Sequence, residues 1–401
     1  HMLAPQLEMF RLFIKLGIPA KQITILPKIY SANGDIIAEI KKLGCTVIDS
    51  ALEFHPKESF DSFHKDQCTQ LATSVMQTVP SLSKIIILDD GGMLISAFSK
   101  RVRSLEYKSK RKLNIRAVEQ TASGKNILLA KSLPFLVTSV ASSIEKIQIE
   151  TSYIIRHSMV RILEYFKEHE IDPKAQILVL GKGPIGATIA EALQSKEYNC
   201  SAYDILQGAF PFRMNAFDII VGATGAHSVS EAMLLQLKPG AHLISISSSD
   251  REFPAVHIRN NSLCGEKVHD TFVYKVNNIH LANGGFPITF KGNRIECYPL
   301  EMDVTKMKLF EAVLLQSVGK AEIATSVNDL YFDKQLDSFK PILRIWVALL
   351  VGLLISKLVM IGLEKPPTWF FLCLFGVFLY GCMPFIWLVK YGKKVESLSR
   401  A

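Results

Sequence analysis

The sequence predicts an α/β fold: a Rossmann-type, doubly wound parallel sheet inserted in a second α/β domain, with a C-terminal two-helix transmembrane hairpin. Three observations predict it. A short apolar strand, Gln176–Leu180, runs into the glycine pattern GKGPIG, Gly181 to Gly186, which opens a helix. Strand-like and helix-like stretches alternate on both sides of that unit, as in parallel sheets with crossover helices. Two nearly continuous apolar stretches lie close to the end of the chain.

Residues 1–150 mix both patterns. Ile36–Val47 reads as an amphipathic helix feeding a strand. Lys84–Leu88 is a fully apolar strand ending at Asp89-Asp90-Gly91-Gly92. Tyr153–Glu170 has helical periodicity, which Asp172-Pro173 stops. After Gln176–Leu180 come a helix Pro184–Gln194 and strands Cys200–Asp204, Phe217–Val221 and His242–Ser247. The expected domains are a substrate-like α/β domain over 1–150 with a return helix over 303–325, a dinucleotide domain over 151–302, and a membrane hairpin over 340–391.

Composition narrows the class. Apolar residues make up 49% of 401 residues, high for a wholly soluble chain. The seven cysteines are scattered, odd in number and form no CxxC pair. A disulfide framework or zinc centre is not expected, and a reducing compartment fits. No metal is predicted. The net charge of +9 is spread along the chain. The densest basic run, Lys100–Lys112, reads as a solvated face, and without a nucleic-acid motif no nucleic-acid partner is predicted. Near the N-terminus the apolar run around Met9–Ile18 is broken by Arg11 and Lys15, so it does not read as a signal peptide.

Ile345–Leu363 and Phe370–Val389 are each long enough to cross a hydrocarbon core, and only a tight turn, Glu364–Trp369, separates them. Trp346, Trp369 and Trp387 stand near the span ends, as an aromatic belt predicts. Lys357 interrupts the first span about one and a half turns from the hairpin tip, within reach of the interface by snorkelling. Lys340 and Arg344 flank one end and Lys390, Lys393 and Lys394 the other, which predicts a lipid-bilayer partner with both termini cytoplasmic.

The glycine loop has the setting its chemistry needs. Gly181 permits the turn, Gly183 lets the backbone approach a pyrophosphate, and Gly186 lets helix pack on strand. Pro184 and Ile185 sit at the helix start, whose free N–H groups favour anions. Asp204, at the end of the next strand, would accept from the adenosine ribose hydroxyls and repel a 2′-phosphate, so NAD is predicted over NADP. Ala223, Thr224 and Gly225, after the strand ending at Val221, would approach the cofactor from the opposite side.

The motif order then carries a resemblance. DDGG (Asp89–Gly92), EQTASG (Glu119–Gly124), GKGPIG, VGATG (Val221–Gly225), LKPGAHLISISSSDREF (Leu237–Phe253) and HLANGG (His280–Gly285) together resemble S-adenosylhomocysteine hydrolase over roughly residues 25–325. The resemblance implies tightly held NAD, oxidation of a ribose 3′-hydroxyl, elimination, water addition and re-reduction. It also implies that Thr121 and Ser123 touch NAD, and that a homo-oligomer forms. Several of the family's proton-handling positions differ. The glutamate of EETTTG is Gln120, leaving Glu119 before it. The lysine and aspartate of VTKSKFDN should fall within Val140–Glu145, which has no lysine and carries Glu145 at the asparagine-like place. The histidine of IGHFD is Ser248, although Asp250 and Glu252 persist, and the LHM motif reads Lys28-Ile29-Tyr30. The GHPS motif is missing, and the membrane hairpin stands in place of the family's cofactor-capping tail.

With the cofactor site kept and those groups changed, the expectation is a membrane-anchored, NAD-binding pseudoenzyme, a sensor or regulatory module with room for a nucleoside-like small molecule. Asp90 and Glu119 are the remaining catalytic candidates, with Glu145, His157, His227 and His280 unassigned. Two alternatives stand beside it: an active NAD-dependent enzyme on a ribose-like alcohol, and a membrane-disrupting effector gated by nucleotide.

Overall fold

Strands that bury both faces need helices on both sides, and the chain supplies them between most of its strands. The computed structural model describes residues 1–318 apart from 81–82, 109–112, 144, 209–212 and 294–299. They lie within one unit, His1–Leu330, built on two main parallel sheets. The hairpin expected over 340–391 lies outside the described residues. Among the described residues no helix is long and apolar enough to cross a membrane.

The first lobe runs α1 (Ala4–Lys15), β1 (Thr24–Ile25), α2 (Gly34–Lys42), β2 (Thr46–Val47), α3 (Phe60–Thr78), β3 (Lys84–Asp89), α4 (Met93–Lys108), β4 (Asn114–Glu119), α5 (Ala122–Leu129) and β5 (Leu136–Ser139). β1 pairs with β2, and β3, β4 and β5 form a parallel sheet in chain order. Met76, Ile87, Ile95, Phe98, Ile115 and Ala117 form its core. A π-helical turn, Glu145–Glu150, leads out of this lobe.

The second lobe runs α6 (Thr151–Glu168), β6 (Gln176–Leu180), α7 (Pro184–Gln194), β7 (Asn199–Tyr203), β8 (Ile219–Gly222), α8 (Glu231–Leu234), β9 (His242–Ser245), α9 (Ala255–Asn260), β10 (Phe272–Tyr274) and β11 (Ile279–Leu281). Its sheet order is β10-β11-β9-β8-β6-β7, parallel except for β10. Side chains alternate between two cores. Leu178, Leu180, Ile220 and Leu243 face Phe253, Ile258 and Phe272. Ile177, Val179, Ile219 and Val221 face Ile162, Phe166, Ile189 and Leu193 of α6 and α7. The register places Leu180 opposite both Tyr203 and Gly222, and Gly222 opposite Ser245. The strands therefore finish in one row, and the loops after them emerge side by side.

α10 (Leu300–Val318) returns to the first lobe. Phe310 meets Phe13 with ring centroids 5.1 Å apart, and the Gln316 carbonyl accepts from Arg116 at 3.3 Å.

One buried cation ties the lobes together. Arg259 donates to Asp250 at 2.7 Å and to the carbonyls of Pro56, Glu58 and Gly284 at 2.9, 3.0 and 2.8 Å. Asp250 in turn accepts the Phe60 N–H, and Arg251 pairs with Asp61 at 3.0 Å. Tyr30 adds an aromatic contact, stacked on Phe286 with centroids 4.9 Å apart.

Candidate functional site

The glycine loop is shaped by two close approaches. Gly181 leaves β6 at φ +97°, and a Cβ there would lie 2.8 Å from the Ala223 carbonyl oxygen. At Gly186 a Cβ would lie 2.0 Å from the Gly181 oxygen and 3.0 Å from the Ala223 methyl, so helix and loop can cross only without a side chain. Gly183 differs: the space a Cβ would enter holds nothing within 4 Å. It caps α7, with Pro184 next. The first bond of the helix runs from the Ala187 N–H to the Gly183 carbonyl. The Ile185 and Gly186 amides ahead of it therefore have no intrahelical acceptor, the usual condition for anion binding at a helix start.

Asp204 stands beside this opening. Its carboxylate accepts from the Lys182 N–H at 2.8 Å and the Leu206 N–H at 3.0 Å. Those bonds favour the charged form and hold its pKa below the usual carboxylate value.

The loop after β8 is held from below by Glu252, a fully buried carboxylate. It accepts from the Thr224 N–H at 3.2 Å, the Thr224 hydroxyl at 2.7 Å and the Gly225 N–H at 3.0 Å. The Gly225 N–H also reaches the Ser247 hydroxyl at 3.0 Å. Gly181, Gly183, Pro184, Ile185, Gly186, Asp204, Ala223, Thr224 and Gly225 thus share one end of the sheet. Thr121 and Ser123 belong to the first lobe. The Thr121 hydroxyl donates to Glu119 at 2.6 Å and accepts from the Gly124 N–H at 2.9 Å, and Ser123 is half-buried. Among the described residues neither hydrogen-bonds to the glycine loop.

The carboxyl ends of the first lobe's strands gather a second set of groups. Lys28 donates to the Asp90 carboxylate at 2.8 Å and to the Asp90 carbonyl at 2.7 Å. The other carboxylate oxygen accepts from the Gln120 amide at 2.8 Å and lies 3.3 Å from the His1 ring. Burial alone would raise the Asp90 pKa; Lys28 beside it, with Lys146 farther off, reverses this and holds it well below the usual range. Two residues beyond Lys28, the buried Tyr30 ring stacks on Phe286, and Asp250, in the loop after β9, accepts the Phe60 N–H.

Glu119 has a different task. It accepts from the Gly91, Gly92 and Thr121 N–H groups at 3.1, 2.9 and 2.7 Å, besides the Thr121 hydroxyl. It fixes the DDGG turn with both oxygens committed. Burial, then neighbouring Asp89, pushes its pKa up to about 8.

In the π-helical turn the Lys146 ammonium pairs with Glu150. The second Glu150 oxygen, Oε2, is buried and has no hydrogen-bond partner among the described residues. From α10 comes Lys306, half-buried. Burial lowers its pKa, while Glu150 works the other way. With the Gln6 amide turned to satisfy both of its groups, its oxygen accepts from Lys306 at 3.3 Å.

The remaining candidates stand apart from this set. Glu145 faces Lys308 at 3.9 Å, and His157 stacks on Tyr153 along α6. The exposed His227 lies 3.1 Å from the Arg251 carbonyl. His280 stacks on His242 at the amino end of the sheet, opposite the glycine loop. Among the described residues no three His, Cys, Asp or Glu side chains are placed to hold a metal.

Sequence reasoning missed Lys28, Gln120, Lys146, Glu150, Glu252 and Lys306 as members of the site. For one pair a signal existed. The lysine-free stretch ends at Glu145, and Lys146 stands one residue beyond, four before Glu150, the spacing of an ion pair on one helical face.

No protein-family model matches the chain. Two curated proteins of Mycobacterium tuberculosis strains, each described as uncharacterized, are 28% identical over 335 residues, covering 81% of this chain. The chain spans 64% of the length of these relatives. Among solved structures, a methylenetetrahydrofolate dehydrogenase/cyclohydrolase from Campylobacter jejuni is 13% identical with a TM-score of 0.26, covering 62% of this chain and 94% of that one. A dipicolinate synthase component from Bacillus halodurans is 14% identical with a TM-score of 0.30, covering 49% of this chain and 67% of that one. Scores this low carry no argument about the site.

Proposed function

We propose that the chain binds a nicotinamide dinucleotide, NAD in preference to NADP, on its second lobe, and oxidises or reduces a hydroxyl of a nucleoside- or ribose-like molecule held between the lobes. The observation that carries this reading is the convergence of the two sheets' carboxyl ends. Asp250, in the loop after β9, accepts the Phe60 N–H of the first lobe, and Tyr30, two residues from the Lys28 that holds Asp90 and Gln120, stacks on Phe286 of the second.

The residues present fit a dinucleotide. The open space before Gly183 and the free first-turn amides of α7 suit a pyrophosphate, and the half-buried Asp204 carboxylate suits ribose hydroxyls. When bound, such a cofactor supplies reversible hydride acceptance. An alcohol that loses a hydride must also lose its hydroxyl proton. Glu150, with one oxygen unpartnered and the other paired with Lys146, is the group suited to accept it. Asp90, ionised and clamped by Lys28 and Gln120, would orient a second hydroxyl.

The test is release and identification. Mass spectrometry of small molecules freed on denaturation should find NAD, or NAD should raise the melting temperature more than NADP does. Asp204→Ser should narrow that difference. Reduced-nicotinamide absorbance should then grow with one member of a ribose-like alcohol panel. Absence of any dinucleotide effect overturns the reading.

One observation favours a second reading, a sensor that binds without turnover. Gln120, which cannot titrate, stands where the resemblance implies a glutamate, and its amide donates to Asp90. Ligand binding with no absorbance change across the panel would select it. In either case the apolar stretches Ile345–Leu363 and Phe370–Val389 would hold the protein, as a homo-oligomer, on a bilayer with both ends cytoplasmic; a nucleotide-gated membrane disruptor would instead release dye from liposomes.

A further inference from the structure

We propose that the molecule held between the lobes carries an anionic oxygen group, a phosphate or carboxylate, and that Lys306 selects it. This rests on the cleft reading above and narrows the substrate class from neutral sugars to hydroxylated anions.

The argument is one of charge and hydrogen-bond complementarity. The ammonium groups of Lys28, Lys146 and Lys306, together with the His1 amino group, lie around the carboxylates of Asp90 and Glu150. Lys28 is bonded to Asp90 through two acceptors. Lys146 is paired with Glu150. Lys306 has no carboxylate within ion-pairing distance among the described residues; its one described acceptor is the neutral Gln6 amide. A lysine ammonium has three donors, and a partly buried cation is costly without an anion. Its neighbour two residues on, Lys308, faces both Glu145 at 3.9 Å and Glu311 at 3.7 Å. Among the described residues of α10, Lys308 is paired and Lys306 is not.

The unpartnered oxygen of Glu150 supplies the second half. It is buried and lacks a donor. A buried carboxylate oxygen without a donor keeps its full desolvation cost until a donor reaches it. A ligand that satisfies the site must bring a hydrogen-bond donor to Glu150 and negative charge to Lys306. A neutral ribose or nucleoside brings only the first. A sugar phosphate or sugar acid brings both.

The experiment uses the full chain loaded with NAD. Calorimetric titrations would compare ribose, ribose 5-phosphate, ribonate and inorganic phosphate. The expected result is binding of ribose 5-phosphate or ribonate at least about tenfold tighter than ribose, equivalent to about 1.4 kcal/mol. Whichever of the two binds tighter identifies the oxyanion. Lys306→Met should bring the charged and neutral sugars to equal affinity, while Lys306→Arg keeps the preference. A second measurement needs no variant: the preferred anion should protect Lys306 from reductive methylation, read by peptide mass spectrometry. Equal affinity for ribose and its charged relatives in the unmodified protein, or a preference that survives Lys306→Met, overturns the anion selection alone. Binding of none of the sugars, with the NAD effect intact, overturns the cleft reading and this proposal with it.

Discussion

Lys28 donates to the carboxylate of Asp90 and to the carbonyl of the same residue, at 2.8 and 2.7 Å, so one ammonium fixes both the side chain and the main chain of the DDGG turn. Removing the ammonium leaves a buried carboxylate with only Gln120 and the His1 ring beside it. Lys28→Met should therefore destabilise the protein by about 3–5 kcal/mol, the range for breaking a buried pair from one side. Lys28→Met with Asp90→Asn should recover much of the loss. Urea unfolding of the three variants measures the coupling. A double variant no more stable than Lys28→Met would show that the pair is not what holds the turn.

Two glycines in one loop should answer differently to the same methyl group. Gly183 has ordinary backbone geometry and open space where a Cβ would go. Gly183→Ala should leave stability within about 0.5 kcal/mol, as for an open surface position, and weaken NAD binding by about tenfold or more. Gly186→Ala places a methyl 2.0 Å from the Gly181 oxygen and should cost about 1–3 kcal/mol of stability through overpacking. Melting curves with and without NAD separate the two effects.

The interlobe lock rests on Arg259, whose side chain is fully buried against Asp250 and near the faces of Phe54 and Phe286, 5.5 and 5.7 Å from the ring centroids. Arg259→Met would leave Asp250 with the Phe60 N–H as its remaining described partner. The expected cost is about 3–5 kcal/mol. Amide exchange should accelerate first over residues 56–61, whose carbonyls and N–H groups meet this pair. Unchanged exchange in that segment would count against the lock.

At the far end of the second sheet, acid should act through His242. Its ring accepts or donates with the Tyr165 hydroxyl at 2.9 Å, and burial, then His280 and His169, lowers its pKa from 6.5 to about 3. The folded state favours the neutral ring, so between pH 6.5 and about 3 the unfolded chain binds the extra proton. Stability contributed by this group is present above pH 6.5 and declines as pH falls through that window. His242→Asn should make the pH dependence of urea unfolding shallower there, and a slope equal to the parent's would assign the acid sensitivity to other groups.

How much of this was readable in advance depended on separation along the chain. The strand Gln176–Leu180, the loop Gly181–Gly186 and the helix Pro184–Gln194 are contiguous, and strand, turn and cap each leave a local pattern. Asp204 follows within one βαβ unit, so its place beside the loop was also legible. The Lys28–Asp90 bond spans 62 positions and no periodicity announces it. Glu252 lies 28 positions from Thr224, and its role follows only from the register that brings β8 beside β9. Gln120 read as a lost acid; in the fold its amide is the donor that completes the Asp90 cluster.

What the sequence alone determined was the parallel α/β class, the glycine-lined helix start and the acidic strand end, because backbone propensity and apolar alternation are properties of neighbours. Which side chains meet at the carboxyl ends of the two sheets was decided by tertiary structure: Lys28 from one turn, Lys146 and Glu150 from a π-helical turn, Lys306 from the returning helix. Coulombic pairing and burial act across space, and strand register and helix docking set that space.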